Sequence, residues 1–201
     1  MKKLLGIVLA GCALGLSLGA REVAAGQGYT PPAALAGTYA ITAHGSVFFC
    51  VQSTPPYLPA QCGSPGVLGF PLTVQDVGTV TQDEQGNACA TLTETNSDHP
   101  VDPSPPFVIV FHQVSKATSY DPTTGEGDVS FTTYVGGQCT VGPFGGTGTT
   151  FDSTGALVAN TGTAHFVASN NGARIDVVIT SLTSPQGAIG DFSLSGTALR
   201  Q

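Results

Sequence analysis

The residue types best suited to metal binding or nucleophilic catalysis are cysteine and histidine, and their spacing forms no motif. The chain has five cysteines and four histidines, and no pair among them has the close spacing of a metal site. The Gly-x-Ser-x-Gly pattern of a nucleophile elbow occurs once, at residues 15–19 inside the apolar run at the start of the chain, and nowhere in the rest of the sequence. We therefore predict no catalytic residues, no metal and no cofactor. The sequence leaves open whether the protein is an enzyme, and the missing motifs favour a non-enzymatic role.

His112 is the most suggestive of the histidines. The five residues before it read Phe-Val-Ile-Val-Phe, which predicts a central strand that is apolar on both faces. His112 shares a face with Val110 and Val114, so if that face lines a cavity, a polar group stands in an apolar wall. Tyr134 and Tyr39 are candidates for similar positions. We predict these three as ligand-binding residues; the alternative for His112 is a core histidine bonded to a backbone carbonyl.

A histidine cluster and a carboxylate pair are weaker candidates. In a barrel, His44 on the first strand could meet His165 near the end of the chain. Asp128, Asp176 and Asp191 lie within strand-like runs, and glycoside hydrolysis needs two facing carboxylates. Asp176 shares its face with the nearby Arg174, however, so a solvent-facing ion pair is the simpler interpretation, and such a pair indicates no catalysis.

Two disulfides are predicted. Cys12 is either removed with the signal peptide or, in a lipoprotein, has its thiol lipidated. Four cysteines remain free to pair in both cases, namely Cys50, Cys62, Cys89 and Cys139. Thiols oxidise in exported proteins. Of the three possible pairings we predict Cys50 with Cys62 and Cys89 with Cys139, because the first pair closes a short proline-rich loop at the end of a strand.

The first twenty residues predict a signal peptide, since two lysines precede an apolar run that is too short for a membrane span. Cleavage after Ala20 fits the small-residue rule, and Ala25 offers a second site. Alternatively, Leu-Ala-Gly followed by Cys12 resembles the bacterial lipobox, which would make the protein an outer-membrane lipoprotein. We thus expect export across the inner membrane to the periplasm or beyond, as a chain with no transmembrane span.

The charge content excludes several classes of protein. Only 9% of residues are Asp, Glu, Lys or Arg, against about 25% in ordinary soluble domains. Removing residues 1–20 leaves four strong bases and thirteen acids, a net charge of −9. Such a chain cannot form the basic surface that nucleic acid requires. Its length suits one domain, and its oligomeric state stays open.

The rest of the chain predicts antiparallel strands. Residues 21–35 are small, polar or proline and predict a flexible lead-in to a β-domain over 36–201. Alternation of apolar and polar residues begins at Gly37, and further β-branched and aromatic runs follow. We place these strands at 37–44, 46–52, 67–82, 87–95, 107–120, 128–135, 147–152, 156–168, 173–182 and 190–199.

Between the predicted strands, an aspartate is repeatedly followed by glycine three or four residues later. Asp83, Asp121 and Asp152 each begin such a segment. An aspartate at the entry of a turn accepts hydrogen bonds from the backbone ahead of it, and glycine at the exit accepts positive φ. These short turns favour an all-β fold, a single antiparallel barrel of eight to ten strands in meander order, with a two-sheet sandwich as the alternative.

Two short stretches resemble known barrel families. Gly37, Thr38 and Tyr39, taken with Arg200, resemble lipocalin-type barrels, in which a Gly-x-Trp strand packs against a late arginine. Gly-Gly-Thr-Gly at 145–148, followed by Phe151, resembles dirigent and allene-oxide-cyclase-like barrels. Each covers a few residues, so we assign the chain to neither family.

These observations favour an exported β-barrel module that binds a small, mostly apolar ligand without catalysis. One alternative is a barrel cyclase or isomerase that uses His112 or Tyr134 as acid or base. Another is a structural or adhesive surface protein. A membrane-spanning barrel fits less well, because such barrels carry aromatic girdles and this chain has no tryptophan.

Overall fold

The computed structural model describes residues 35–84, 86–97, 108–141 and 149–201. The signal segment, most of the lead-in, His99, Phe107 and the Gly-Gly-Thr-Gly stretch lie outside these ranges. Ten strands run through the described residues. They are β1 (Gly37–Gln52), β2 (Val67–Gln82), β3 (Asn87–Ser97), β4 (Val108–Tyr120), β5 (Glu126–Val135), β6 (Gln138–Val141), β7 (Thr149–Asp152), β8 (Leu157–Ser169), β9 (Arg174–Thr183) and β10 (Ile189–Arg200).

Eight of these strands form a closed antiparallel barrel in meander order, as the sequence predicted. The order around the barrel is β1-β10-β9-β8-β5-β4-β3-β2, and pairing of β1 with β10 closes it. The remaining two strands, β6 and β7, pair only with each other and form a separate hairpin. The two strands expected at 37–44 and 46–52 are one continuous strand that passes through Gly45.

The turns between strands follow the aspartate–glycine pattern. Asp121 Oδ1 accepts a hydrogen bond from the Thr123 amide at 2.7 Å, and the Gly125 amide donates to the Asp121 carbonyl at 2.8 Å. Asp83 and Asp152 likewise accept from backbone amides ahead of them. The glycines that end these turns have φ between 72° and 79°, a conformation that other residues rarely adopt. These local bonds explain why most strands fall close to their predicted bounds; β6, at Gln138–Val141, was not among the predicted strands.

The barrel interior is filled from alternate positions on each strand. The largest fully buried side chains include Tyr39, Phe49, Phe111 and Phe166. The intervening positions face outward and are often threonine or serine, which pair across strands; Thr161 and Thr183, for example, lie 3.1 Å apart at their hydroxyl oxygens. Most of the buried interior positions are therefore apolar, and neutral hydroxyl side chains contribute much of the outer face.

Both predicted disulfides are present. Cys50 pairs with Cys62, with Cα atoms 5.3 Å apart, and Cys89 pairs with Cys139, with Cα atoms 5.8 Å apart. The first closes the loop that follows β1. The second ties the β6–β7 hairpin to β3 on the outside of the barrel, since the neighbours of Cys89 on β3, Ala88 and Ala90, belong to the buried core.

Candidate functional site

The anchored hairpin forms one wall of a groove on the outer surface of the barrel. The groove has a volume of about 620 Å³, in the range of small-molecule sites. Its floor is the outer surface of β3, β4, β5, β8 and β9, and Phe151 from β7 stands at its edge. Apart from Asn87, Lys116 and the disulfide-bonded Cys89, the outward side chains that line the floor are hydroxyl-bearing or apolar: Val114, Ser130, Thr132, Tyr134, Thr161, Thr163, Ser181 and Thr183.

Three rings meet at the hairpin end of this groove. His112 on β4 and Tyr134 on β5 are paired directly across the two strands. The Phe151 ring lies 4.6 Å from the Tyr134 ring and 6.2 Å from the His112 ring, centroid to centroid. We call His112, Tyr134 and Phe151 the aromatic cluster. Tyr134 and Phe151 line the groove, so the cluster offers an apolar face to a molecule bound there.

His112 therefore lies outside the barrel. The face that it shares with Val110 and Val114 is the outer one, because the alternate residues Phe111 and Gln113 are fully buried. The apolar run before His112 could not reveal this, since both of its faces are apolar. Thr91 Oγ1 lies 3.2 Å from His112 Nδ1. Partial desolvation lowers the pKa of His112, so its imidazole is mostly neutral at pH 7.

Tyr39 is not part of the aromatic cluster. It is fully buried inside the barrel near the start of β1, where its hydroxyl donates to the Leu35 carbonyl at 2.8 Å. The Arg200 guanidinium donates to the same hydroxyl at 3.0 Å. This is the contact that the lipocalin resemblance implies, between the first strand and a late arginine. The structure thus brings together two of the three predicted ligand-binding residues and places the third elsewhere.

Other predicted combinations are only partly formed. His44 and His165 lie in one row around the outer surface, but Ser195 and Val178 stand between them, so the two histidines are not neighbours. Nowhere in the described part of the chain do three His, Cys, Asp or Glu side chains gather as a metal site would require.

A serine, an aspartate and a histidine do meet on the outer surface, at Asp128. Ser119 Oγ donates to Asp128 Oδ2 at 2.7 Å, and His165 Nδ1 lies 3.0 Å from Asp128 Oδ1. These two bonds lower the pKa of the Asp128 carboxyl, the serine bond more than the histidine bond. A nucleophilic triad needs the serine bonded to the histidine. Here both bond to the carboxylate, so the serine is not activated.

The sequence interpretation missed a group of polar side chains inside the barrel. We call them the interior polar belt; they are Asp76 on β2, Glu94 and Asn96 on β3, Gln113 on β4, Thr133 on β5 and Asn160 on β8, and each is at most 6% exposed. Asp76 and Glu94 pair directly across β2 and β3. Burial, and then the neighbouring Asp76 carboxylate, raise the pKa of Glu94 well above its ordinary value. The sequence did contain a sign of these buried acids, because each occupies the same alternate positions of its strand as the inward-facing apolar residues. On β2, for example, Asp76 follows Leu72 and Val74 in this alternation.

The tilt of the strands brings the members of the belt to one level of the barrel. Rows of paired residues climb as they circle a barrel, because the strands are tilted and staggered. One such row begins at Ala117 on β4, which lies opposite the start of β3. From there it runs around the barrel through Val129 on β5 and Ala164 on β8. Continuing through Val74, it returns to β3 at Asn96, beside the end of that strand.

The row that contains Gln113, Thr133 and Asn160 climbs in the same way. It starts on β3 at Ala90, four residues before Glu94, and gains height strand by strand. By β8 it has reached the level of Glu94, so Asn160 faces the acidic pair across the interior.

Comparison with known protein families, curated proteins and solved structures finds no match to this chain. Among the described residues, no helix has the length and hydrophobicity needed to cross a membrane. The fold and the site define the chain as a closed eight-stranded antiparallel barrel that carries a disulfide-anchored hairpin and an external groove.

Proposed function

We propose that this protein is an exported β-barrel module that binds a small, mostly apolar molecule in the external groove. The observation that carries the proposal is the contact of Tyr134 with Phe151, at 4.6 Å between ring centroids, on the edge of a groove of about 620 Å³. Ligand sites combine apolar and aromatic walls with a few polar groups that fix orientation. The aromatic cluster supplies the wall, and the hydroxyls of Thr132 and Thr161 supply the polar groups.

The Cys89–Cys139 disulfide supports this assignment. Phe151 reaches the groove only because the hairpin that carries it is held against β3. A wall that is fixed before the ligand arrives reduces the ordering cost of binding. The groove is therefore pre-formed.

The proposal is tested by titrating the protein with 2-naphthol, a flat and mostly apolar probe with one hydroxyl, and following backbone amide shifts by NMR. We expect shifts around Tyr134 and Phe151, and at least tenfold weaker binding in Tyr134→Ala, because aromatic contacts carry much of the energy at such sites. Val178→Ala, an exposed substitution on the outer face of β9, is the control. Lack of binding, or equal binding by Tyr134→Ala, would contradict the proposal and favour a structural or adhesive role.

A cyclase or isomerase is the second candidate, and the neutral state of His112 favours it. A neutral imidazole in contact with the aromatic cluster can accept a proton from a molecule bound in the groove. Such an enzyme would convert its ligand, which NMR spectra of the ligand recorded over time would show. If the ligand binds but its NMR spectrum does not change with time, the protein is a non-enzymatic binding module.

Export is part of the proposal, and the two disulfides support it, because such bonds persist in oxidising compartments. Intact-mass measurement of the protein from its native host separates the processing routes. A chain that begins near Arg21 indicates a cleaved signal peptide, whereas an acylated chain that begins at Cys12 indicates a lipoprotein. A full-length chain with free thiols would contradict export.

A further inference from the structure

The external groove changes in polarity from one end to the other. Outward residues that are paired between neighbouring strands form rows across the groove floor. The row at one end consists of polar side chains, namely Asn87, Lys116, Ser130, Thr163 and Ser181. The next row, two residues further along each strand, is mixed and consists of the disulfide-bonded Cys89, Val114, Thr132, Thr161 and Thr183.

The third row forms the apolar end of the groove. His112 and Tyr134 pair across β4 and β5, and Tyr134 pairs in turn with Val158 on β8. The Val158 side chain is exposed, and Phe151 from the hairpin lies against the Tyr134 ring. The groove therefore runs from a polar end at Lys116 to an apolar end at the aromatic cluster.

Lys116 gives the polar end a positive charge. Among the described residues that line the groove, it is the one that is Asp, Glu, Lys or Arg. The other two strong bases in the described ranges have partners: Arg174 pairs with Asp176, and Arg200 donates to the Tyr39 hydroxyl. Lys116 forms no ion pair within those ranges. The groove thus carries an unpaired positive charge, although the whole chain has a net charge of −7.

Two acids belong to the turn and the strand beside the polar end, and each already has partners. Asp83 accepts hydrogen bonds from the backbone amide and the side-chain amide of Asn87. Asp128, the next outward residue on β5, is bonded to a serine and a histidine. Neither acid lines the groove, so a negative group on a bound molecule would be the partner of Lys116 there.

We infer that the molecule bound in the external groove is an amphipathic carboxylate, with its negative group at Lys116 and its apolar part on the aromatic cluster. The inference rests on the proposed function, and it assigns the chemical class and the orientation of the ligand. An ammonium group only donates hydrogen bonds and a carboxylate only accepts them, and such charged hydrogen bonds are stronger than neutral ones. Lys116 lies four residues from His112 along β4, a distance of about 13 Å, which suits an unbranched chain of medium length.

The two ends of the groove should respond differently to salt. Lys116 is exposed, whereas Tyr134 is half-buried beside Phe151. Dissolved ions therefore screen the attraction at the charged end, and they leave the apolar contacts in place. Salt should weaken the binding of a carboxylate but not that of its neutral counterpart.

The experiment is calorimetric titration of the disulfide-bonded full chain near pH 7 with octanoate, its neutral amide octanamide, and octylammonium, with 2-naphthol as the probe of the groove itself. At low ionic strength we expect octanoate to bind at least about threefold more tightly than octanamide, and octylammonium to bind more weakly than octanamide. Sodium chloride should remove the preference for octanoate. A smaller preference, or tighter binding of octylammonium, would overturn the inference while 2-naphthol binding upheld the proposed function. If none of the four compounds binds, both fail.

Variants assign the charge effect to one side chain. Lys116→Gln, at an exposed position, should lower octanoate binding to the level of octanamide and leave 2-naphthol binding unchanged. Arg174→Gln removes an equal charge from the outer face of β9, outside the groove, and should keep the preference for octanoate. Tyr134→Ala should weaken octanoate and octanamide equally, because both place their chain on the aromatic cluster. A preference that persists in Lys116→Gln, or that is lost in Arg174→Gln, would overturn the inference.

Discussion

Arg200, near the end of the last strand, holds Tyr39 on the first. One guanidinium nitrogen donates to the Tyr39 hydroxyl at 3.0 Å, and the guanidinium carbon lies 5.4 Å from the centre of the ring. The same nitrogen donates to the Ala36 carbonyl at 3.0 Å. Because β1 and β10 are the strands whose pairing closes the barrel, this contact fastens the two ends of the sheet to each other.

Replacing Tyr39 by phenylalanine should destabilise the barrel by about 1–3 kcal/mol, because the buried Leu35 carbonyl loses its donor and Arg200 loses an acceptor. The free energy of unfolding in urea measures the change. Tyr57→Phe, at a partly exposed tyrosine, is the matched control and should stay within about 0.5 kcal/mol. Equal losses in the two variants would show that the Arg200 contact has no special role.

The stability of the protein should fall as the pH rises above the ordinary pKa of a glutamate. The pKa of Glu94 is raised in the folded state by burial and by Asp76, so between the ordinary and the raised value the folded state binds more protons than the unfolded state. Unfolding free energy then decreases with pH. Glu94→Gln should flatten this decrease and be more stable at neutral pH, as urea titrations from pH 4.5 to 8 would show.

Asp128 and Asp176 do not interfere with that measurement. Side-chain hydrogen bonds lower the pKa values of Asp128 and Asp176, from Ser119 and from Arg174 respectively. The stability that these acids contribute is present above their ordinary pKa and is lost as the pH falls further. Glu126→Gln is the control for Glu94→Gln, and a pH profile identical in the two variants would contradict the prediction.

The two disulfides should differ in their effect on stability and on the groove. Replacing both Cys89 and Cys139 by serine opens a link across 50 residues and should cost about 4 kcal/mol; replacing Cys50 and Cys62, 12 residues apart, should cost about 3 kcal/mol. Only the first change frees the hairpin, so only it should weaken 2-naphthol binding. Urea unfolding and probe titration of both double variants test this, and weaker binding in both would contradict it.

The ion pair of Arg174 with Asp176 should contribute little despite its good geometry. Arg174 Nε lies 2.8 Å from Asp176 Oδ2, and Thr197 Oγ1 also donates to Asp176 at 2.8 Å. Both side chains of the pair are about half exposed, so solvent screens their attraction. A double-mutant cycle with Arg174→Ala and Asp176→Ala should give a coupling energy below about 1 kcal/mol. A larger value would show that solvent does not screen this pair as expected.

The sequence alone determined the features that depend on neighbouring residues. Asp121 and Gly125 form their turn through bonds that span four residues, so the turn could be predicted from those residue types. The short turns favoured a meander, and the short proline-rich loop between Cys50 and Cys62 favoured that pairing. In each case the physical cause is local, and the pattern in the sequence contains it.

The tertiary structure decided which side of the sheet faces inward and which distant residues meet. His112 could not be placed from a run that is apolar on both faces, and only the closed barrel shows that it faces the outside. Phe151 meets Tyr134 because a disulfide folds the hairpin back over the barrel, and no neighbouring residue predicts that contact. Asn160 lies opposite Glu94 because tilted strands stagger around a closed sheet, a relationship that exists only once all eight strands have paired.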